Sequence, residues 1–416
     1  MTLVARAGCP SFDQLNLTSA RAGGIPGFVR GGGLWRTTDW RRVGTKLGGL
    51  AVFGAVGLLF LMAALGGGTT EMAKDGATPG SGGLPANIGK DDRADITGAG
   101  ATFPAPLYQA WFDDYRRNVA NGVRVNYQSI GSGGGIQQFT EKTVDFGASD
   151  APMNDAEMQK AGDAQHIPMV IGAVVVTYNI AGLAKPLQID GPTVARIFLG
   201  EVKSWNDAAI AATNPGVKLP DKAIQVVHRS DGSGTSFVFT DWLAKVSPDW
   251  KSRVGANKNP NWPAGQGGKG NEGVTNVLKQ TPNSIGYVEL NYAMGNKLPY
   301  ADIRNRSGKF VTPTIETAAE AAAGVELPDD YRVSITDAPG EKAYPVSSFT
   351  YLLVHRDAGC DKQKPLVNML WWVFHDRSAG FTAADLHYAP IPERASARVE
   401  TTLKGLTCDG QPVLPQ

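Results

Sequence analysis

The chain of 416 residues carries 40 Lys and Arg against 39 Asp and Glu, which gives a formal net charge of +1. This balance argues against a protein that binds nucleic acid through a basic surface, because no excess of cations is available to neutralise phosphates. With 42% apolar and 19% charged residues, the composition is globular and not disordered. The length predicts two or three domains.

The N-terminal region differs from the rest of the chain in charge. Residues 1–70 hold seven basic and two acidic side chains, and residues 50–65 are almost entirely apolar. Basic residues before such a segment keep the N-terminus in the cytoplasm, so the chain that follows is predicted to be exported to the periplasm. Small residues at Ala64 and Gly66 favour cleavage as a signal peptide. The alternative is a retained anchor that holds the protein at the outer face of the inner membrane.

This pattern divides the N-terminal region into three segments. Residues 1–46 are predicted to be a cytoplasmic or n-region extension. Residues 47–66 form the apolar core of the signal peptide or anchor, and residues 67–90, rich in Gly, Ser and Pro, form a flexible tether.

From residue 94 onward the chain repeats a unit of strand, glycine-rich loop and helix. The three units lie at 95–112, 123–139 and 224–246. In the first unit, Leu107 and Trp111, continued by Tyr115, recur at helical spacing and predict one buried helix face. Strands that alternate with helices in this way predict an α/β fold.

Each of the three loops places Gly, Ser or Thr where a helix begins. Unpaired N–H groups and the positive end of the helix dipole favour an anion there, and glycine lets the backbone approach it. The third loop also contains Arg229. Ordinary turns between strands and helices contain glycine too, so the pattern alone leaves both interpretations open.

Other chemistries lack their motifs in this sequence. Gly98 and Gly100 begin like a dinucleotide-binding loop, but Phe103 occupies the position of the third glycine. The motifs G-x-x-x-x-G-K-[ST] and G-x-S-x-G are not found, and the five histidines have no metal-ligand spacing. We therefore expect a chain that is not an enzyme, with no catalytic residue, no metal and no cofactor.

Two of the three cysteines, Cys360 and Cys408, follow the apolar segment. An oxidising compartment would allow them to form a disulfide. Two separate buried thiols are the alternative.

Several stretches resemble, in the same order, the phosphate-binding protein of the high-affinity bacterial phosphate ABC importer. They include TGAGATFPAPLY (97–108), VNYQSIGSGGGIQQF (125–139), TVDFGASDAP (143–152), RSDGSGTSFVFTDWL (229–243), GGKGNEGV (267–274) and SIGYVE (284–289). Together with further matches, they span roughly residues 95–390. The resemblance implies an α/β, two-lobed periplasmic binding protein fold with a hinge and a ligand cleft between the lobes. One lobe would comprise residues 91–175 and 348–416, and the other residues 176–347.

The same resemblance implies a phosphate site made of residues from these loops. Phe103 would contribute its backbone N–H, and Asp231 would pair with Arg229 and orient its guanidinium. The implied ligand contacts are Thr102, Phe103, Ser132, Asp150, Arg229, Ser233, Gly234 and Thr235.

Asp150 has a chemical role in such a site although it is an acid. A carboxylate repels a fully ionised anion, but it accepts a hydrogen bond from phosphate that still carries a proton. Sulfate carries no proton at neutral pH and would leave two acceptors facing each other, which costs several kcal/mol. Asp150 is therefore expected to select phosphate over sulfate. Its alternative role is a helix cap near Pro152.

By resemblance, the chain is expected to capture inorganic phosphate as a monomer and to deliver it to the membrane permease and ATPase subunits of an ABC importer. Two alternatives belong to other classes. An exported phosphatase would need a nucleophile or metal, and a sulfate or other oxyanion binder on the same fold would conflict with Asp150.

Overall fold

The computed structural model describes residues 85–183 and 185–415. The predicted extension and apolar segment, residues 1–66, lie outside the described residues, as does the predicted tether up to residue 84. Residues 86–91 form turns, and Ile88 packs against the hydrophobic core. None of the helices in the described ranges is long and apolar enough to cross a membrane.

Strands and helices alternate along the described chain, as the three predicted units imply. The strands are β1 (Arg93–Gly100), β2 (Gly122–Ser129), β3 (Phe146–Ser149), β4 (Ala164–Asn179), β5 (Gln188–Ile189), β6 (Gln225–Arg229), β7 (Gln266–Gly268), β8 (Ser284–Glu289), β9 (Asp302–Arg304), β10 (Phe310–Val311), β11 (Ser347–His355), β12 (Asp357–Ala358), β13 (Thr407–Cys408) and β14 (Gln411–Pro412). The helices are α1 (Ala105–Asn118), α2 (Ser132–Thr140), α3 (Asp155–Ala161), α4 (Gly191–Phe198), α5 (Ala208–Ala211), α6 (Gly234–Val246), α7 (Pro248–Arg253), α8 (Gly270–Gln280), α9 (Leu290–Gly295), α10 (Ile315–Ala323), α11 (Cys360–His375), α12 (Arg377–Asp385) and α13 (Glu393–Lys404).

Eight strands form one mixed sheet, in the order β2-β1-β3-β11-β4-β8-β6-β7. Near one end, β1 runs parallel to β2 and β3, and near the other, β6 runs parallel to β7 and β8. The central strands β11 and β4 pair antiparallel. Every residue of β11 and nearly every residue of β4 is buried, which is typical of strands covered on both faces.

The long strand β4 connects two groups of strands. Its residues 164–173 pair with β11, and its residues 174–179 pair with β8. We call β2, β1, β3, β11 and residues 164–173 the first lobe, and residues 174–179, β8, β6 and β7 the second lobe. This two-lobed α/β arrangement confirms the fold class predicted from the sequence.

Helix α1 shows how the apolar pattern of the sequence builds the core of the first lobe. Leu107, Trp111 and Tyr115 are all buried, as their helical spacing predicts. Full burial of a side chain such as leucine stabilises the fold by about 1.5–3 kcal/mol. The helix begins at Ala105 after Pro104 at its cap, so the two preceding residues stay in the loop that follows β1.

Close packing of α2 on the sheet depends on glycine. A Cβ atom on Gly135 would lie 2.6 Å from the Ala99 carbonyl oxygen and 2.9 Å from that of Ala148, much closer than an ordinary van der Waals contact. Because Gly135 has no side chain, the helix can approach β1 and β3. Its N-terminus at Ser132 thereby reaches the carboxyl ends of these strands.

A disulfide joins Cys360 and Cys408, whose Cα atoms are 4.8 Å apart. It links the start of α11 to β13, which follows α13. The sequence leaves open whether Cys360 and Cys408 form a disulfide or remain two separate thiols, and in the structure they form the disulfide. The bond closes a loop between residues 48 positions apart, so it restricts the unfolded chain.

Replacing both cysteines with serine is expected to lower the free energy of unfolding by about 4 kcal/mol, because the unfolded chain regains the entropy of the open loop. Urea unfolding followed by circular dichroism measures this change. The wild type treated with reductant is the matched control and should lose the same stability. Unchanged stability in both samples would contradict the prediction.

Candidate functional site

The loops of the three units meet at the boundary between the lobes. Gly133 N donates to the Gly232 carbonyl oxygen at 2.8 Å, and a Cβ atom on Gly234 would lie 2.6 Å from Asp150 Oδ2. The eight residues predicted to contact a ligand are all buried here. They are Thr102, Phe103, Ser132, Asp150, Arg229, Ser233, Gly234 and Thr235.

The first residues of two helices lie beside Asp150. Ser132 begins α2, and its hydroxyl oxygen accepts a hydrogen bond from Asp150 N at 3.3 Å. Ser233 caps α6 by accepting from Ser236 N at 2.9 Å. The N–H groups in a first helical turn have no partner within the helix, and the dipole is positive there. Both helix ends therefore favour an anion at this point.

Arg229 ends β6, and its side chain is only 1% exposed. Its Nε and Nη2 donate to Asp231 at 2.8 and 2.5 Å, and its Nη1 donates to Thr235 Oγ1 at 3.3 Å. Asp231 also accepts from Gly270 N at 3.0 Å. Burial opposes ionisation of Asp231, but the hydrogen bonds and charge of Arg229 outweigh it, and the pKa of Asp231 is lowered. The ion pair holds the planar guanidinium in one orientation.

Asp150 lies between these donors with one oxygen unpaired. Its Oδ1 accepts from Thr350 Oγ1 at 2.9 Å, whereas its Oδ2 is buried without a hydrogen-bond partner. Burial raises the pKa of Asp150 to about 7, although the Thr350 hydroxyl, the Arg229 charge and the Ser132 hydroxyl each act to lower it. A buried acceptor of this kind gains a hydrogen bond only from a group that carries a hydrogen.

The alternative role of Asp150 as a helix cap is wrong. Helix α3 begins at Asp155, and its cap is Asn154, whose side chain accepts from Glu157 N. Glu157 in turn accepts from Asn154 N, which completes a capping box. Asp150 is therefore not needed to cap this helix.

Two residues of the site were not singled out from the sequence. Asn271 is fully buried, and its Nδ2 donates to Thr102 Oγ1 at 2.8 Å and to Thr235 Oγ1 at 3.2 Å. Asn271 belongs to the stretch GGKGNEGV, so its match to the family was a usable signal. Thr350 carried the same kind of signal, because the strand around residues 349–355 also resembles the family. It lies at a register shift between β11 and β4, and such irregularities redirect side chains.

A buried histidine supports the segment that follows Asp150. Met153 N donates to His166 Nε2 at 3.1 Å, and Arg332 Nη1 donates to the Met153 carbonyl oxygen at 2.9 Å. Burial, assisted by the positive charge of Arg332, lowers the pKa of His166 to about 4. The imidazole therefore stays neutral and accepts a hydrogen bond at neutral pH.

This histidine makes stability depend on pH in a defined direction. In the unfolded chain its pKa is about 6.5, so between about pH 6.5 and 4 the unfolded state binds the extra proton and is favoured as pH falls. Relative to His166→Gln, which cannot titrate but keeps an acceptor, the wild type is expected to lose about 3 kcal/mol of unfolding free energy between about pH 7 and pH 4. Urea unfolding of both proteins at several pH values measures the difference. A constant difference across this range would contradict the assignment.

Comparison with known proteins agrees with the fold and places the chain in a family. A family model of the PBP superfamily domain matches residues 80–374, so the chain belongs to this superfamily of binding proteins.

No group of His, Cys, Asp or Glu suited to hold a metal ion is present among residues 85–183 and 185–415.

Within that superfamily the chain belongs to the family of the phosphate-binding proteins PstS. It is 44% identical to the phosphate-binding protein PstS of Xylella fastidiosa strain Temecula1 over 309 residues, which cover 73% of this chain and 84% of the relative. It is also 44% identical to that of Pasteurella multocida, with 74% and 90% covered. Membership in a family of binding proteins confirms the prediction that the chain is not an enzyme.

Solved structures share the fold at low sequence identity. A high-affinity periplasmic phosphate-binding protein (PfluDING) bound with phosphate has a TM-score of 0.61 at 19% identity, with 74% of this chain and 93% of that chain covered. A phosphate-binding protein from Stenotrophomonas maltophilia has a TM-score of 0.56 at 18% identity, with 74% and 93% covered. At this identity the likeness extends to the fold alone.

Proposed function

We propose that the chain binds inorganic phosphate between its two lobes. The observation that carries the proposal is the unpaired, buried Oδ2 of Asp150, which lies beside the first residues of α2 and α6 in a site that also holds the Arg229 guanidinium. These groups supply many donors and one acceptor, which matches an oxyanion that still carries a proton. The names of the PstS relatives support the same ligand.

The contacts divide by chemical role. Arg229 supplies the charge and a planar pair of donors, and Asp231 holds it in place. The hydroxyls of Thr102, Ser132, Ser233 and Thr235 and the backbone N–H groups of Phe103 and Gly234 add hydrogen bonds without a second cation. Asp150 accepts the hydrogen of the ligand and so rejects sulfate, which has none.

We further propose that the lobes close on the ligand by a hinge. Lobe boundaries at residues 91–175 with 348–416, and at 176–347, are supported by β4, which changes partner between residues 173 and 174. An ion pair also joins the two proposed lobes, because Lys258 Nζ lies 2.6 Å from Glu157 Oε1. A ligand that contacts both lobes favours the closed state, because only that state provides all its contacts.

Family membership and the N-terminal sequence support a proposal for the location and the partners. We propose that the chain is exported by its apolar N-terminal segment and acts as a monomer in the periplasm. There it delivers phosphate to the membrane permease of an ABC importer, which is driven by cytoplasmic ATPase subunits. Cleavage of the segment or its retention as an anchor changes how the protein is held and not what it binds.

Titration of the full-length chain, after removal of bound ligand, tests the proposal. At about pH 9, calorimetry is expected to show phosphate binding with a Kd of about 1 µM or tighter, which corresponds to about −8 kcal/mol. No heat is expected with sulfate at this pH, because Asp150, whose pKa is raised to about 7, is then ionised. Folded protein that binds neither anion would contradict the proposal. Equal binding of both would leave an oxyanion site but contradict the role of Asp150.

A further inference from the structure

A second buried acid, Glu289, lies near the site at the boundary between the lobes. It ends β8 and is paired in register with Val174, the first residue of β4 in the second lobe. Its side chain is fully buried. Oε2 accepts from Asn291 N at 3.0 Å and lies 3.1 Å from the Tyr388 hydroxyl, whereas Oε1 has no hydrogen-bond partner in the described chain. A carboxylate buried in this way without a cation is strongly disfavoured.

The hydrogens around Tyr388 can be counted. Its hydroxyl has one hydrogen and lies 2.7 Å from the Phe103 carbonyl oxygen, which can only accept. The shorter contact takes that hydrogen, so the contact with Glu289 needs a hydrogen from the carboxyl group. Burial, assisted by the negative charge of Asp150, raises the pKa of Glu289 well above its ordinary value, although the hydrogen bond from Asn291 N acts to lower it.

The two carbonyl groups held here belong to the loop between β1 and α1. Tyr292 donates to the Thr102 carbonyl oxygen at 2.6 Å, and Tyr388 donates to that of Phe103. In a planar trans peptide group, the Phe103 N–H points opposite to the Thr102 carbonyl. A hydrogen bond that holds this carbonyl therefore also orients the N–H. Glu289 is linked to both tyrosines, since it contacts Tyr388 and caps α9, the helix that carries Tyr292.

We propose that Glu289 is a protonated carboxylic acid in the folded protein at neutral pH, and that it is a positioning residue that donates to Tyr388 and so fixes the Thr102–Phe103 loop. The positioning part rests on the proposed function, because this loop contributes to the phosphate site. The protonation part stands without it. Glu289 is not among the residues proposed to contact phosphate, so this role is separate from ligand binding.

Infrared spectroscopy of the full-length chain tests the protonation. Asp150→Asn serves as background, so that Asp150 contributes no carboxylic acid signal. At about pH 7 this protein is expected to show the carbonyl stretch of a buried carboxylic acid, and Asp150→Asn combined with Glu289→Gln is expected to lose it. A spectrum without that band, or a loss of carboxylate bands in the double variant, would overturn the proposal. Should the double variant not fold, Tyr388→Phe in the same background is expected to shift the band, because it removes the acceptor.

Phosphate titration tests the positioning. Tyr388→Phe is expected to weaken phosphate affinity by about tenfold, because one hydrogen bond that orders the loop is lost. Glu289→Gln is expected to weaken affinity less than Tyr388→Phe does, since an amide NH2 in place of Oε2 still donates to Tyr388, although it no longer accepts from Asn291 N. The matched control is Tyr331→Phe, which removes a buried hydroxyl 2.7 Å from Thr402 Oγ1 on α13. Equal affinities for Tyr388→Phe and Tyr331→Phe would overturn the positioning role. Wild type that binds no phosphate would instead reject the proposed function, and the infrared result would still decide the protonation.

Discussion

Replacing Arg229 with alanine is expected to weaken phosphate binding by roughly two to four orders of magnitude. The side chain is buried and is held by two hydrogen bonds to Asp231. Its removal takes away the main positive charge proposed to contact the ligand, and it leaves Asp231, whose side chain is 11% exposed, without its cation near an anion. Calorimetric titration with phosphate measures the loss, and thermal unfolding shows whether the variant is folded.

The matched control is Arg253→Ala. Arg253 also pairs with an acid, at 2.6 Å from Glu201, but this side chain is 49% exposed. Exposed ion pairs contribute little to stability, and this one lies outside the site, so phosphate affinity should be unchanged. Arg229→Lys tests the charge apart from the geometry, because lysine keeps the charge but lacks the planar guanidinium. We expect it to bind phosphate more weakly than the wild type and more tightly than Arg229→Ala. If Arg229→Ala binds phosphate like the control, Arg229 is not the ligand cation.

Asp150→Asn is expected to reduce the preference for phosphate over sulfate by roughly a hundredfold at about pH 9, where Asp150, whose pKa is raised to about 7, is almost fully ionised in the wild type. The asparagine oxygen can still accept from Thr350, while its amide replaces the acceptor Oδ2 with a donor. The amide can donate a hydrogen bond to sulfate, which only accepts. It can no longer accept the hydrogen of a protonated phosphate. Competition between the two anions, followed by calorimetry, measures the ratio of affinities.

The same account predicts a pH dependence in the wild type. The pKa of Asp150 is raised to about 7, chiefly by burial, so its carboxyl is mostly ionised at about pH 8 and mostly protonated at about pH 6. Only the protonated form can donate to sulfate, so sulfate affinity should rise as pH falls, by up to about tenfold per unit above that pKa. Asp150→Asn should show no such rise. The control Asp163→Asn, which removes an acid paired with His355, should behave like the wild type. A sulfate affinity that does not change with pH in the wild type would contradict the role of the proton.

Much of the fold and part of the site could be predicted because their determinants are local. Helical spacing of Leu107, Trp111 and Tyr115 predicts a buried face, and the three glycine loops predict helix starts at the ends of strands. The ion pair of Arg229 and Asp231 is local too, since its partners lie two residues apart.

Other features were decided only by the tertiary structure. Thr350 contacts Asp150 across 200 positions, Asn271 contacts Thr102 across 169, and Tyr388 contacts Phe103 across 285. No spacing rule connects residues so far apart, because the order of strands in the sheet brings them together. The sequence by itself therefore determined the three units of strand, glycine loop and helix, and the arginine with its acid. The sheet order and the register shift at Thr350 decided which buried groups contact these loops, since burial and hydrogen-bond geometry exist only once the lobes are packed.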